Sequence, residues 1–386
     1  LERSEPFFVR GDNVISKVLE LHTIGRCDIS VKDSVLTIQL SVASRPSGQI
    51  RKISGFPIVL DGKANQLQLE KSEKPAYIFW VENQKTIKSM NINSTEIVEL
   101  EMPSDVYIVA AENENTESGT LWAVTLEGGV YSLTGKLSIL DGFPILLDSK
   151  PSTQPTVRKN SLIIPLENKK MCLVKVDKSK EYLDIPELNG SILATPTILN
   201  DKIALYDKGF LGKVHVIGSE LKREYNVLGI AFGSPALMEK DGDTYTAFIT
   251  QAGGLSIWCD KEGKVGFPLE KRIWGIYFLN VISNGNYFYG LTSDGMLHRI
   301  ALDGAIVSVK IPNATTKAAT LITVDSNIYV GIDGNLIYGF NENLELLQGF
   351  PIVGTGTPVF ADANGDGNLD CFALTIDNKL NAWNLR

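Results

Sequence analysis

The chain is predicted to fold entirely from β-strands, and two patterns in the sequence support this. Short apolar runs are separated by turn residues every few positions, as in β-sandwiches, barrels and propellers. The tripeptide Gly-Phe-Pro recurs at spacings of 87, 124 and 83 residues, beginning at Gly55, Gly142, Gly266 and Gly349. Each spacing is close to a multiple of about 42, the length of one propeller blade. The sequence therefore predicts a β-propeller.

The internal structure of each repeat predicts a four-stranded antiparallel blade. A proline after Thr, Ser or Gln begins an apolar run at four positions separated by 41, 39 and 123 residues, namely Pro155, Pro196, Pro235 and Pro358. Four apolar runs then follow in each period; in one copy they are Thr197–Leu199, Lys202–Tyr206, Lys213–Ile217 and Lys222–Val227. Asp-Gly pairs between such runs are suited to tight antiparallel hairpins.

The repeats predict eight blades. Seven of them occupy approximately residues 61–104, 105–150, 151–190, 191–230, 231–273, 274–313 and 314–353. The last segment, 354–386, supplies three strands. Gln49–Pro57 resembles the outer strand of other repeats, so we expect an N-terminal strand to complete the C-terminal blade and remove an exposed sheet edge.

The N-terminal residues leave a seven-bladed alternative open. Residues 1–48 are predicted to be an extension and residues 49–386 a single propeller domain. Val14, Ile15, Val18 and Leu19 fit one short helix, or a strand. Residues 14–42 also contain extra strand-like runs, notably Val35–Val42, which could form a blade of their own.

One loop has the pattern of a calcium site. Asp362-Ala-Asn-Gly-Asp-Gly-Asn-Leu-Asp370 has oxygen-bearing side chains at positions one, three, five and nine and a glycine at position six. The predicted ligands are the side-chain oxygens of four residues and the backbone carbonyl of Asn368. The four residues are Asp362, Asn364, Asp366 and Asp370. Position twelve is Ala373 where an EF-hand needs glutamate, so the prediction is a β-hairpin loop holding a structural Ca²⁺. The alternative is a metal-free turn, because Asn, Asp and Gly are turn formers.

Two propeller families share these features. Gly-Phe-Pro ahead of a strand, together with Asp-x-Asn-x-Asp-Gly-x-x-Asp, resembles the FG-GAP repeats of integrin α-subunit propellers and their bacterial relatives. The meander with Asp-Gly hairpins is similar to quinoprotein-like propellers, and the resemblance covers about residues 50–386. The bacterial outer-membrane assembly lipoproteins with such propellers are an analogy for a role in the cell envelope.

A second loop, Glu239–Thr246, lies at the equivalent place in another repeat. It is one residue shorter, and Thr246 stands where Asp370 stands in the complete loop. With fewer ligands it is expected to be an ordinary polar hairpin.

Composition excludes several functions. The formal net charge of −8 and the pI of about 5.2 argue against nucleic-acid binding, and no apolar run is long enough for a membrane span. The cysteines form no CxxC pair and are expected to be buried free thiols; they are Cys27, Cys172, Cys259 and Cys371. Because the chain begins with Leu1 rather than methionine, we expect a processed mature chain or a domain of a larger one.

No catalytic motif is present, so the chain is predicted not to be an enzyme. It lacks Gly-x-Ser-x-Gly, HExxH and a phosphate-binding glycine loop, and its histidines, His22, His215 and His298, are scattered and expected to be structural. Among the tryptophans, Trp80, Trp122, Trp258 and Trp383 lie in apolar strand runs, where packing explains them. Trp274 follows Lys271-Arg272-Ile273 near a blade junction and is the candidate contact residue.

These patterns predict a calcium-stabilised protein-binding module of the cell envelope or cell surface. The partner would bind a propeller face or rim, and the chain would be a monomer or one domain of a larger protein located outside the cytoplasm. The alternative is a carbohydrate-binding or carbohydrate-active propeller that uses its central funnel.

Overall fold

The computed structural model is built from β-strands and turns. Over residues 1–76 it describes the backbone of five strands. From Tyr77 to Leu385 it describes backbone and side chains, except that Asp184 and Phe232 are described as backbone only and that some short segments are not described: 92–93, 95, 111–120, 159–160, 186–187, 189, 193, 208–211, 219–221, 228–231, 251, 313–319, 333–334, 363–367 and 377–378. Among the described residues there is no α-helix, and therefore none long and apolar enough to cross a membrane.

The N-terminal residues form a four-stranded antiparallel meander. Its strands are β1 (Ser16–Leu21), β2 (Gly25–Lys32), β3 (Val35–Ala43) and β4 (Ile50–Ser54). A short strand, β5 (Ile58–Val59), follows directly. Val18 and Leu19 of the segment that the sequence assigned to either a helix or a strand lie in β1, whereas Val14 and Ile15 lie outside the described residues.

The next three sheets are also antiparallel. The first has three strands among the described residues, β6 (Tyr77–Glu82), β7 (Thr86–Asn91) and β8 (Ile97–Glu101). The second has β9 (Val106–Ala110), β10 (Leu121–Thr125), β11 (Gly129–Leu133) and β12 (Ile145–Leu146). The third has β13 (Thr156–Arg158), β14 (Ser161–Pro165), β15 (Lys170–Lys175) and β16 (Lys180–Asp184).

Three four-stranded sheets follow in the middle of the chain. The first has β17 (Thr197–Leu199), β18 (Lys202–Asp207), β19 (Lys213–Ile217) and β20 (Lys222–Asn226). The second has β21 (Phe232–Lys240), β22 (Asp243–Ile249), β23 (Leu255–Cys259) and β24 (Leu269–Lys271). The third has β25 (Phe278–Ser283), β26 (Phe288–Thr292), β27 (Met296–Ile300) and β28 (Ile306–Lys310).

The C-terminal strands form the last two sheets. One has β29 (Thr320–Val324), β30 (Asn327–Ile332), β31 (Leu336–Phe340) and β32 (Ile352–Val353). The other has β33 (Thr355–Ala361), β34 (Asp370–Leu374) and β35 (Leu380–Asn384), with β5 as its fourth strand. Each of the eight predicted repeats contains the strands of one of the eight sheets from β6 to β35, apart from β5, which joins the last sheet from the N-terminal part of the chain. The structure confirms the β-propeller of eight blades.

The predicted closure by an N-terminal strand is confirmed, at a position slightly different from the predicted one. Residues 50–54 pair with β3, whereas Ile58 and Val59 pair with Ala382 and Asn381 of β35. The reason is visible in the other repeats, where the outermost strand begins after Gly-Phe-Pro rather than before it. Residues 14–42 do contain extra strands, which with β4 form a separate sheet, so the eight predicted repeats remain.

The chain divides into two compact units. Residues 1–68 and 313–386 form one unit, and residues 69–312 form the other. Within each unit, first strands of consecutive sheets lie side by side: β6 with β9, β9 with β13, β17 with β21, β21 with β25, and β29 with β33.

Apolar layers between consecutive sheets form the core. In the second unit, five buried clusters each combine residues of one sheet with residues of the next, from β6–β8 through β25–β28. In the first unit, one cluster joins β29–β32 to β33–β35. Strands that are buried on both faces explain the near-continuous apolar runs in the sequence.

The phenylalanine of each described Gly-Phe-Pro lies in one of these layers. The glycine has a positive φ, the Phe–Pro bond is cis, and the outermost strand starts immediately afterwards. Each phenylalanine ring contacts an aromatic ring of its own sheet's second strand, with centroid separations of 5.2 to 5.8 Å: Phe143 with Trp122, Phe267 with Tyr245, and Phe350 with Tyr329. The repeated tripeptide is therefore a packing motif.

Phe350 shows how tightly this motif fits. Its side chain is 1% exposed, and a Cβ added to Gly339 of β31 would lie 2.9 Å from its ring. A glycine is required at that position because a larger residue would displace the ring.

The prolines that head the predicted runs lie at or near the start of first strands. Pro155 and Pro196 directly precede β13 and β17, whereas Pro235 and Pro358 lie where β21 and β33 shift register against their neighbours. Proline has no backbone N–H, so strand starts and bulges are the positions at which a sheet tolerates it.

We expect Phe350→Ala to lower the free energy of unfolding by about 3–5 kcal/mol, because it removes a buried ring from a packed layer. Leu146→Ala is the control, since Leu146 is 70% exposed and its loss should change stability by less than about 0.5 kcal/mol. Chemical denaturation of the wild type and both variants measures this. Equal denaturation midpoints for Phe350→Ala and Leu146→Ala would contradict the packing role.

Candidate functional site

The predicted calcium loop is the connection of a β-hairpin. β33 ends at Ala361 and β34 begins at Asp370, and these two residues are paired. The hairpin register therefore brings the first and last predicted ligands, Asp362 and Asp370, to the same end of the sheet. Asn364 and Asp366 lie outside the described residues.

The described ligands of this loop differ in burial. Asp362 and Asn368 are exposed, whereas Asp370 is only 4% exposed. Burial raises the pKa of the neighbouring Cys371 thiol to about 12, and the charge of Asp370 adds to this effect. A buried carboxylate at the base of an oxygen-rich loop suits a hard cation such as Ca²⁺.

This loop is longer than its counterparts in three other sheets, although the connection between β9 and β10 is longer still, at ten residues. The corresponding turn has two residues in each of those three sheets: Asn200-Asp201, Asp241-Gly242 and Asp325-Ser326. Positive φ angles at both residues of the last two make them type I′ hairpin turns. Eight residues separate β33 from β34. A two-residue turn is enough to connect such strands, so this loop has six additional residues.

No group of three or more His, Cys, Asp or Glu side chains converges as a metal site among the described residues. Asp366, the central predicted ligand, is outside that set. The calcium site therefore stays a prediction, to which the structure adds that the two ends of the loop are paired.

The second candidate loop is an ordinary hairpin, as predicted. Glu239 accepts a hydrogen bond from Asn200 at 2.6 Å and forms an ion pair with Lys202. Asp243 pairs with Lys264, and the hydrogen bond between them lowers the pKa of Asp243. The two carboxylates are engaged by separate partners and do not share a site.

His215 lies in a buried charged cluster. Its ring nitrogens lie 3.6 Å from a carboxylate oxygen of Asp207 and 3.6 Å from one of Glu224, and Glu224 also pairs with Lys213 at 2.6 Å. Burial lowers the pKa of His215, although both carboxylates act in the opposite direction. Asp207 accepts a hydrogen bond from the Gly190 amide, which ties the cluster to the segment before β17.

His298 lies in a separate hydrogen-bonded position in β27. Its Nδ1 is 2.7 Å from the Ser308 hydroxyl and its Nε2 is 3.2 Å from that of Thr292. Thr292 in turn donates to Asp294 at 2.6 Å. Burial lowers the pKa of His298, so the imidazole is favoured in its neutral form.

Three cysteines have the environment expected of structural thiols. Cys172, Cys259 and Cys371 are buried and free. Burial raises the pKa of Cys172 to about 11 and also raises that of Cys259. Thiols with raised pKa values are poor nucleophiles. Cys27 lies in β2, where only the backbone is described.

The tryptophans separate into packed and exposed residues, as the sequence indicated. Trp122 and Trp383 are buried, and Trp80 and Trp258 are partly buried in strands. Trp274 is 97% exposed, in a turn between β24 and β25. It is the most exposed of the five.

A cavity of about 220 Å³ was not indicated by the sequence. Its lining comes from β20 of one sheet and from the end of β23 and the following loop of the next: Arg223, Glu224, Tyr225, Trp258, Cys259, Asp260, Lys261, Glu262, Gly263, Lys264 and Phe267. Arg223 Nε donates to the carbonyl oxygen of Asp260 at 3.0 Å and so links the two sides. Residues about 35 positions apart meet here only because adjacent sheets pack together.

No protein-family model matches this chain, and no curated protein matches it. Similar solved structures include the computationally designed protein Ika8, with a TM-score of 0.56 and 13% identity over 81% of this chain and 94% of Ika8. BamB from Moraxella catarrhalis has a TM-score of 0.51 and 11% identity over 85% of this chain and 95% of BamB. These similarities support the fold alone. BamB is a quinoprotein-like β-propeller, which agrees with that part of the predicted resemblance, and the FG-GAP resemblance stays an interpretation of the sequence.

Calcium is expected to stabilise the wild-type protein. For a Kd of about 10⁻⁴ to 10⁻³ M, about 2 mM calcium would add about 0.6 to 1.8 kcal/mol to the free energy of unfolding. Asp366→Ala should abolish the difference in melting temperature between calcium and chelator. Asp241→Asn, in the two-residue hairpin at the equivalent place, is the control and should retain the difference. Equal melting of the wild type in calcium and in chelator would refute the site.

Stability is expected to fall as the solution is acidified below about pH 6.5. The folded-state pKa of His298 lies below its ordinary value of 6.5, so the unfolded chain binds a proton first. The contribution of neutral His298 to the free energy of unfolding is complete above pH 6.5 and is lost as the pH falls toward the folded-state pKa. His298→Gln should reduce the loss of stability between pH 7 and pH 5, by at most about 1.4 kcal/mol per pH unit. Denaturation at several pH values measures this, and identical slopes would contradict it.

Proposed function

We propose that this chain is a non-catalytic, calcium-stabilised β-propeller that binds a protein partner, as a scaffold module of the cell envelope or cell surface. The observation that carries the proposal is a group of exposed residues between β24 and β25. We call Arg272, Trp274 and Tyr277 the aromatic patch. Their side chains are all exposed, Trp274 to 97% and Tyr277 to 53%.

The backbone holds the aromatic patch in a defined position. Ile273 and Ile276 form an isolated antiparallel bridge, and the turn between them contains Trp274 and Gly275, whose φ is +72°. The Tyr277 amide donates to the Ser293 hydroxyl at 3.1 Å, and the Ser293 amide donates to the Tyr277 carbonyl at 2.7 Å. The patch is thus anchored to the turn between β26 and β27.

Tyr277 packs against a glycine that leaves room for it. A Cβ on Gly253 would lie 2.2 Å from a ring carbon of Tyr277. The Phe278 amide also donates to the Gly253 carbonyl at 2.9 Å. An anchored loop loses little conformational freedom on binding, so an exposed aromatic group here can contribute most of its burial to affinity.

The composition of the patch favours a protein as the partner. Trp, Tyr and Arg are the residues enriched among those that dominate binding energy at protein interfaces. Arg272 has no ion-pair partner among the described residues and can engage a carboxylate of the partner. An indole that is almost fully exposed gains most by entering an apolar pocket.

The remaining parts of the proposal rest on the loop at Asp362–Asp370. An open calcium loop of this type suits the roughly millimolar calcium found outside cells, which favours an extracytoplasmic location. The ion would have a structural role beside β34, whose sheet β5 completes. The chain would act as a monomer or as a domain of a larger protein.

Affinity capture from an envelope extract of the source organism, followed by measurement with the purified partner, tests the patch. Trp274→Ala should weaken binding by roughly 30-fold, corresponding to about 2 kcal/mol, and Arg272→Ala should weaken it to a smaller degree. Val265→Ala is the matched control, because Val265 is 95% exposed at the opposite end of β24. It should bind as the wild type does.

Two results would count against this assignment. Equal binding by the wild type, Trp274→Ala and Val265→Ala would place the interface elsewhere. Self-association of the wild type that Trp274→Ala abolishes, measured by sedimentation, would make the patch a contact between copies of this chain.

A further inference from the structure

The cavity between β20 and the β23–β24 loop has the features of a binding site for a small ligand. Its volume of about 220 Å³ equals that of about seven water molecules, which is smaller than a typical drug-sized pocket. A single six-membered ring with its substituents has that size. The cavity lies entirely in the unit of residues 69–312.

Aromatic side chains form the apolar part of the lining. Tyr225 and Trp258 stack with ring centroids 5.1 Å apart, and Tyr225 also stacks on Phe248 at 6.4 Å. Trp258 remains partly exposed, and its Nε1 donates to Ser256 at 2.9 Å. Because the polar atom of the indole is satisfied inside the sheet, the exposed part of Trp258 offers apolar surface to a ligand.

Phe267 of the Gly-Phe-Pro tripeptide completes the apolar lining. It packs on Tyr245 at 5.2 Å, and Lys264 lies over the Tyr245 ring at 4.9 Å. Lys264 is held by Asp243 and by the Tyr245 hydroxyl. These contacts fix both side chains at the wall of the cavity.

Charged side chains of both signs surround this aromatic lining in equal number. Three are cationic and three are acidic: Arg223, Lys261 and Lys264, and Glu224, Asp260 and Glu262. Among the described residues, neither Lys261 nor Glu262 has an ion-pair partner. Arg223 uses Nε for Asp260, which leaves its other N–H groups as donors.

We propose that this cavity binds a neutral sugar ring of monosaccharide size. Hydroxyl groups both donate and accept hydrogen bonds, so a polyhydroxylated ring can satisfy the cationic donors and the carboxylate acceptors together. An ion of either sign would meet equal numbers of attracting and repelling groups. The apolar C–H face of the ring would lie on Trp258, whereas the hydroxyl groups would face Arg223 and Glu262.

This site is distinct from the aromatic patch. β24 runs from the Gly-Phe-Pro end of the cavity to the turn that carries Trp274, so the two features lie at opposite ends of the same strand. The cavity also lies at a junction of two sheets, whereas the sequence favoured the central funnel for any carbohydrate.

Saturation-transfer NMR with the full chain tests the proposal. The probes are glucose, galactose, mannose and N-acetylglucosamine, with two smaller molecules that carry charged groups, zwitterionic alanine and anionic lactate. At least one sugar should show transfer from the wild type. Trp258→Leu and Glu262→Ala should each raise the Kd at least tenfold, and Trp274→Ala should leave it unchanged.

Glu262→Ala keeps the test decisive if Trp258→Leu fails to fold, because Glu262 is exposed and makes no ion pair among the described residues. Absence of transfer to all four sugars would overturn the proposal. Transfer that survives both cavity variants would also overturn it, because the sugar would then bind elsewhere. Transfer to alanine or lactate without transfer to a sugar would replace the neutral ligand with a charged one.

Discussion

Within each compact unit, the packing of one sheet's apolar face against the next is the constraint on which this structure depends. Six buried clusters each join two consecutive sheets, whereas an isolated β-hairpin in water is marginally stable at best. The Gly-Phe-Pro tripeptide adds a phenylalanine to this layer in three described repeats, where it contacts an aromatic ring of the second strand. The glycine before it, with positive φ, gives the chain the turn that leads into the outermost strand.

This constraint places functional variation in the loops. Strands that are buried on both faces have no surface for a partner, so the exposed groups lie on outermost strands such as β20 and β28, at strand ends and in turns. The sheet of β21–β24 illustrates the result, because the aromatic patch follows β24 and the cavity precedes it. The same sheet has a two-residue turn, Asp241-Gly242, where the last sheet has the eight-residue oxygen-rich loop. Blades with the same strand arrangement therefore differ in the length and the side chains of their loops.

The electrostatics of the buried groups follow the same division. His215 and His298 have pKa values lowered by burial, and Cys172 and Cys371 have pKa values raised by burial, so the interior holds these groups in their neutral forms. Each histidine also has a polar partner in its own sheet, the Ser308 hydroxyl for His298 and the Asp207 carboxylate for His215. Their contacts suit stabilisation of individual blades, whereas Arg272 and Trp274 reach solvent.

The sequence alone determined the fold class, the repeat boundaries and most strands, because strand pairing within a blade is local and leaves a periodic record. Thr197–Leu199 and Lys213–Ile217 were predicted with the bounds that the structure has. The buried state of Trp122 and the exposure of Trp274 followed from their positions in a strand run and at a junction. The predicted oxygen ligands of the loop at Asp362 could be recognised from the sequence for the same reason, since they lie within nine consecutive residues.

Tertiary structure decided the features that join distant segments. The choice of Ile58–Val59 over residues 50–54 as the closing strand depends on pairing with β35, more than 300 residues away. The cavity depends on Arg223 meeting Asp260 across two sheets, and the burial of Asp370 depends on the packing of its sheet. Local patterns specify strands and turns, but contacts between sheets arise only when the apolar layers assemble and fix which side chains face one another.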